Sequence, residues 1–241
     1  MLTKEKIFSL VGKLWFEDDP KFFAFMTKHL TIEGAKVFTL EHAVFADHFP
    51  RWFANVIARC PHIDARRYMI ENMYVEEVED PTVKEGHYES LIKFGIGLGL
   101  TREQIVKHDP MPATIMAINY WDNSGKTKSW LEGFAAICGL EISNNPEVCA
   151  MYKVKSPVLK ENWEPLGLPE EALTHWKSAA AADTGEESHS EEPIRILIEF
   201  AETDQDEERV LNALRESYRV KRYQRDVVSE AAIRAGQRVG R

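Results

Sequence analysis

Phe45-Ala46-Asp47-His48-Phe49-Pro50-Arg51-Trp52-Phe53-Ala54-Asn55-Val56-Ile57-Ala58 sets the fold class. Phe45, Phe49, Trp52, Phe53, Val56 and Ile57 recur at three- and four-residue steps, the spacing of one apolar face of an α-helix. The next segment places Ala65, Met69, Met73 and Glu76 on one side of a second helix. Outward from this pair, helical patterns are predicted near 88–98, 112–123, 129–143, 170–182, 191–201 and 207–236. Strand alternation is absent. Asp19-Pro20, Asp80-Pro81, Asp109-Pro110, Ser156-Pro157 and Leu168-Pro169 mark loops or helix starts. The prediction is a single all-α domain over residues 1–241, a bundle of seven or eight helices, with a frayed basic end from Ala235 to Arg241.

Composition narrows the function. With 241 residues and a hydrophobic fraction of 44%, the chain can bury a substantial core. A net charge of −9 argues against nucleic acid or an anionic membrane as the main partner, because both reward clustered Lys and Arg. No apolar run approaches the length of a membrane span, and residues 1–19 lack the apolar core of a signal peptide. A cytoplasmic protein is expected. Cys60, Cys138 and Cys149 have no paired spacing, so neither a disulfide framework nor a zinc site is suggested.

Chemistry-bearing residues fall in three segments. Glu76 and His87 would lie about 16 Å apart on one straight helix, but Asp80-Pro81 and Gly86 interrupt it, so a turn can bring His87 back. The run Glu76, Glu77, Glu79, Asp80 also reads as a solvated acidic helix end, the commoner arrangement, since Glu is seldom buried. Glu141 closes the apolar run Phe134–Leu140. A carboxylate there must be paired, protonated or metal-bound, or else it is a helix-end residue at the edge of the core. The third segment carries His175, four alanines at 179–182, Asp183, Glu186 and His189. His175 lies about 12 Å along the axis from Asp183. Glu186 shares a face with Asp183, whereas His189 does so only if Gly185 loosens the turn. Helix capping at Ser188 and an acidic first turn from Glu191 and Glu192 are the structural alternative.

Taken together, the stretches His48–Pro61, Asp64–Glu77 and Gly86–Leu100 resemble the haem-oxygenase-like superfamily. It includes TenA-type thiaminases, pyrroloquinoline-quinone synthase and the haem-oxygenase-like di-iron oxidases, among them the CADD-type para-aminobenzoate synthases. The likeness runs from about Lys21 to Ala201. In the di-iron members the ligands are a Glu, a His, a second Glu and a His-x-x-x-Asp-x-x-His segment. By position Glu76, His87, Glu141 and Asp183 match. Ala179 stands where the first histidine of the last segment belongs, and Glu186 where the second does. His189 substitutes if residues 184–188 bulge; His175 is a turn too early in an undistorted helix. The nucleophilic cysteine that thiaminases place six residues before the buried Glu is here Ala135, with Cys138 three before it, which argues against a thiaminase.

The resemblance implies an O2-dependent, non-haem iron oxidase or oxygenase of biosynthesis. It would act on a small amine, amino acid or carboxylate, with Fe(II)/Fe(III), two per chain in a complete site, and O2 as co-substrate. Glu141 would bridge, Glu76 and His87 hold one iron, and Asp183 with His189 the other, with His175 and Glu186 as substitute ligands. Phe45, Phe49, Tyr120, Trp121 and Trp176 are candidate pocket aromatics, although such residues at helical spacing are more often plain core. His42 and His48 either contact substrate or serve surface and capping roles. The resemblance also implies a homodimer. The alternatives are a metal-independent enzyme like pyrroloquinoline-quinone synthase, or a catalytically reduced binding protein on the same scaffold. Residues 207–225 read as a charged amphipathic helix with a solvated face.

Overall fold

The structure, a computed structural model, describes residues 1–156, 159–182 and 190–239. Thr3 caps α1 (Lys4–Phe16) by accepting from the Lys6 amide, and Pro20 opens α2 (Lys21–Lys28). The quoted stretch forms the second half of α3 (Ile32–Ile57), which Thr31 caps and which runs through Pro50. Then come α4 (Ile63–Glu77), α5 (His87–Gly97), the short α6 (Arg102–Val106), α7 (Pro112–Thr127) and α8 (Trp130–Ile137), the last held by a Ser129/Glu132 capping box. A 3₁₀ segment, Cys138–Asn144, leads to α9 (Pro146–Met151). Three 3₁₀ turns precede α10 (Thr174–Ala182), α11 (Glu192–Phe200) and α12 (Asp204–Val239).

The all-α prediction holds, and no strand occurs among the described residues. The segments are more numerous than the seven or eight expected. Helices α2, α6 and α9 are short and lean on tertiary packing, whereas α1 carries a three- and four-residue repeat of its own in Ile7, Phe8, Val11 and Trp15. The predicted helix over 129–143 tightens to 3₁₀ after Ile137. A Cβ on Gly139 would lie 2.5 Å from a Leu214 methyl, so the chain here runs hard against α12. Of the tail expected to fray from Ala235 to Arg241, the described part is helical: α12 continues to Val239, with Gly236 seated on Thr31 at the start of α3, and residues 240–241 lie outside the described residues.

Helices α3 and α12 pack along each other, and α1, α2, α7 and α8 pack against α12, while α4 and α5 lean on α3 and α10 lies on α5. The described elements share one hydrophobic core. Val210, Leu214, Tyr218, Lys221, Arg225, Val228 and Ala232 form the buried stripe of α12. The amphipathic pattern expected over 207–225 is thus present, with two cations, Lys221 and Arg225, on its inner face. Glu41, fully buried in α3, accepts from His108 Nε2 (2.7 Å), Thr114 Oγ1 (2.5 Å) and the Met111 amide, which pins the start of α7 to α3.

Candidate active site

Helix α4 stops at Glu77 and α5 starts at His87, so the nine residues between must reverse the chain. Asp80 builds that turn: its amide donates to the Glu85 carbonyl, its carbonyl accepts from the Lys84 amide, and its Oδ1 accepts from the Thr82 amide at 2.6 Å. Gly86 lies against the end of α4, where a Cβ would meet the Glu76 carbonyl oxygen at 2.7 Å. The anticipated turn therefore forms, and it returns His87 to Glu76.

His87 is buried between two carboxylates. Its Nδ1 lies 3.1 Å from Glu76 Oε1, and its Nε2 lies 2.8 Å from Asp80 Oδ2. Burial opposes charge on the ring, but the two carboxylates outweigh it and hold the imidazole up to about 10. Burial likewise pushes Asp80 up, and its bonds from His87 and Thr82 reverse this to about 2. The acidic run is thus split: Glu77 is exposed and Glu79 half-buried, whereas Asp80 is buried.

His175 comes to this place from α10, its ring 6.2 Å from that of His87. Ser90 Oγ donates to the His87 carbonyl (2.8 Å), so the His175 Nδ1–H donates to Ser90 (3.1 Å) and Nε2 carries the lone pair. Burial, with the charge of His87, drives His175 down to about 3, so it is neutral across the physiological range. His42 of α3 follows, its ring 6.1 Å from His175 and stacked on Trp176 at 6.2 Å. Its Nδ1 accepts from Arg225 Nη2 at 3.0 Å.

Glu141 sits on the 3₁₀ segment, partly buried. Burial raises its carboxyl, the Lys221 ammonium lowers it, and the negative charge of Glu76 raises it again, leaving it at about 7. Lys221 Nζ donates to the Leu140 carbonyl and to Ser143 Oγ, both at 2.7 Å. Glu76, His87, Glu141 and His175 thus share one electrostatic neighbourhood, while Asp183, Glu186 and His189 lie outside the described residues. The structure brings in His175, which spacing alone put a turn too early. With His175 at the first place of the His-x-x-x-Asp-x-x-His pattern, the remaining two places fall on Ala179 and Ala182.

Of the expected pocket aromatics, Phe45, Phe49 and Trp121 pack with Trp52 in the core, and the Trp121 indole donates to Ser217 Oγ. Tyr120 packs edge-on to Trp121. Trp176 stacks on Trp163 at 4.2 Å as well as on His42. His48 caps no helix end: it lies half-buried inside α3, its Nδ1 donating to the Val44 carbonyl one turn back. Sequence reasoning missed Asp80 as His87's partner, Ser90, Lys221 and Arg225. The signal for the two cations was present, since both fall on the three- and four-residue repeat of apolar residues along α12.

Among the described residues no three His, Cys, Asp or Glu side chains form a ready-made cation cage. The donor chemistry nonetheless suits a metal. Two neighbouring ligands of an octahedral ion at roughly 2.1 Å are themselves roughly 3.0 Å apart, and Glu76 and His87 stand at 3.1 Å. Asp80 on the far ring nitrogen is the outer carboxylate that commonly orients a ligating histidine.

A sequence profile of the family described as "iron-containing redox enzyme" matches residues 36–222. The 4-aminobenzoate synthase of Chlamydia trachomatis is 26% identical over 84 residues, and the match spans 35% of each protein. The crystal structure of a domain of unknown function with a haem-oxygenase-like fold from Shewanella denitrificans superposes with a TM-score of 0.72 at 17% identity, covering 95% of this chain and 90% of that one. A CADD-like protein of unknown function from Nostoc punctiforme superposes with a TM-score of 0.68 at 12% identity, covering 95% and 98%. The fold is haem-oxygenase-like.

Proposed function

Because the chain belongs to the iron-containing redox enzyme family, we propose that it is a non-haem iron oxidoreductase that uses O2 on a small amine, amino acid or carboxylate. The observation that carries this reading is His87, oriented by Asp80 and set beside Glu76 at ligand–ligand distance. Glu76, His87, Glu141 and His175 would hold iron, and Asp183 with His189 would hold a second ion. Carboxylate and imidazole donors favour iron, which when bound supplies O2 chemistry. The partial homology to 4-aminobenzoate synthase supports a biosynthetic role of oxidase type.

The chain's own residues have defined tasks in this scheme. Asp80 accepts a hydrogen bond from His87 Nε2–H and fixes the ring, so Nδ1 becomes the ligating nitrogen once it loses its proton. Ser90 fixes the His175 tautomer and presents Nε2. Glu141, poised near 7, can release or hold a proton at its carboxyl within the physiological range. The stacked indoles and Phe38 keep bulk water from this side of the site.

Ala179 and Ala182 favour a second reading, a site reduced to one metal or none. Anaerobic Fe(II) titration with metal analysis separates the cases. About two irons per chain, lost in Glu141→Ala and His87→Ala, is the full site, which needs Asp183 and His189. One iron, lost in the same variants, is the reduced site built on Glu76, His87, Glu141 and His175. No bound iron overturns the oxidoreductase reading and leaves a metal-independent protein on this fold.

A further inference from the structure

Arg225 is the buried charge that the scheme above leaves unused. It is only 8% exposed on the inner face of α12, one turn beyond the buried Lys221. No carboxylate stands against it among the described residues. Its Nη2 is bonded to the neutral His42, which contributes no negative charge, and its Nη1 has no hydrogen-bond partner. Its guanidinium lies over the rings of Phe38 at 5.0 Å and Phe45 at 5.6 Å, which offsets only part of the cost of burying a cation. Burial alone lowers it to about 10. Ser229, one turn further along α12, and the indoles of Trp163 and Trp176 in the adjoining stack also have buried polar atoms without a partner. Natural cores rarely leave a cation and several polar groups unmatched in one neighbourhood. The missing partner has the character of an anion that can also accept hydrogen bonds.

We propose that Arg225, with His42, is the anchor for the carboxylate of the substrate, and that the substrate is a small aromatic or apolar carboxylic acid. A planar guanidinium offers a carboxylate two parallel N–H donors. His42, which accepts from Arg225 through Nδ1, carries its own proton on Nε2 as a further donor. Phe38 and Phe45 lie against the guanidinium and Trp176 stacks on His42, so the surroundings of the anchor are apolar and aromatic. The series His42, His175, His87 leads from the anchor to Glu76 in ring-to-ring steps of 6.1 and 6.2 Å. An acid held at Arg225 with its other end along this series would reach toward the proposed iron ligands. The assignment of that end as the reacting one rests on the oxidoreductase reading; the anchor itself does not.

Binding is measured on the full-length, metal-free protein by calorimetry and tryptophan fluorescence, with benzoate and hexanoate as probes and benzamide as the uncharged isostere. Benzoate or hexanoate is expected to bind at least tenfold more tightly than benzamide. Arg225→Gln should erase the preference, and Arg225→Lys should keep part of it. Equal binding of acid and amide to the wild type overturns the proposal without any variant, as does a preference that survives in Arg225→Gln. Saturation by chloride or phosphate with no response to either acid overturns it too, and makes Arg225 a structural anion site. Carboxylate binding that persists where Fe(II) titration finds no metal sinks the oxidase reading and leaves the anchor standing.

Discussion

His87 shows how one residue takes its chemistry from its neighbours. A histidine in water is half-protonated near 6.5; here Glu76 and Asp80 hold it to about 10. Because the folded value lies above the unfolded one, the contribution of this ring to stability is complete below about pH 6.5 and is lost as pH rises through about 10. Asp80 behaves oppositely: held to about 2, its contribution is complete above about pH 4 and is lost as pH falls through about 2. The urea-measured stability gap between metal-free wild type and His87→Gln should therefore be widest between about pH 4 and 6.5 and shrink toward pH 10. Glu141 and His175 also titrate in this neighbourhood, but they are common to both proteins, and taking the difference removes most of their effect. At its widest the gap should be about 3 kcal/mol, since the variant leaves buried carboxylates without their cation. A gap that grows with pH would show that the ring is neutral in the fold. The sequence displayed Glu76 and His87 as candidates, but not the second carboxylate on His87. Asp80 looked like one more member of an acidic run, and only the turn it builds turns it inward.

Among the elements, the α4–α5 turn has the most leverage. Asp80-Pro81 and Gly86 announced a break, and a break is what forms; its tightness follows from Gly86 pressing on the Glu76 carbonyl. Gly86→Ala should open the turn, cost about 1–3 kcal/mol and weaken Fe(II) uptake by moving His87 away from Glu76. Unchanged metal uptake would show that the site does not depend on this contact. The 3₁₀ segment carrying Glu141 was not visible in the sequence. Its apolar residues suit an α-helix equally well, and the tight approach of Gly139 to Leu214 is a long-range contact. Helix α12 is the opposite case. Its repeat of buried positions was legible, and Lys221 and Arg225 stood on it, but the many charges on its outer face masked them.

At the scale of the whole molecule, α12 is the spine. Tyr218 Oη donates to the Gly139 carbonyl at 2.8 Å, Lys221 reaches the Leu140 carbonyl, and Ser217 Oγ joins the Trp121 indole to the Ala136 carbonyl. These bonds tie α7, α8 and the 3₁₀ segment to one helix inside one core. Far-ultraviolet and near-ultraviolet circular dichroism should therefore report the same unfolding midpoint, the near-ultraviolet signal reading the six tryptophans. Separate midpoints would show that the elements do not unfold as one unit. By itself the sequence determined the helical class, because period and breaks are local properties of the chain. It also determined most of the acids and histidines open to chemistry, because residue types suited to metal or proton transfer are few. Tertiary structure decided which of them meet. His175 comes to face His87, and Arg225 lies among aromatic rings with no carboxylate against it among the described residues. Such meetings depend on the angles at which distant helices cross, and no local pattern encodes those angles.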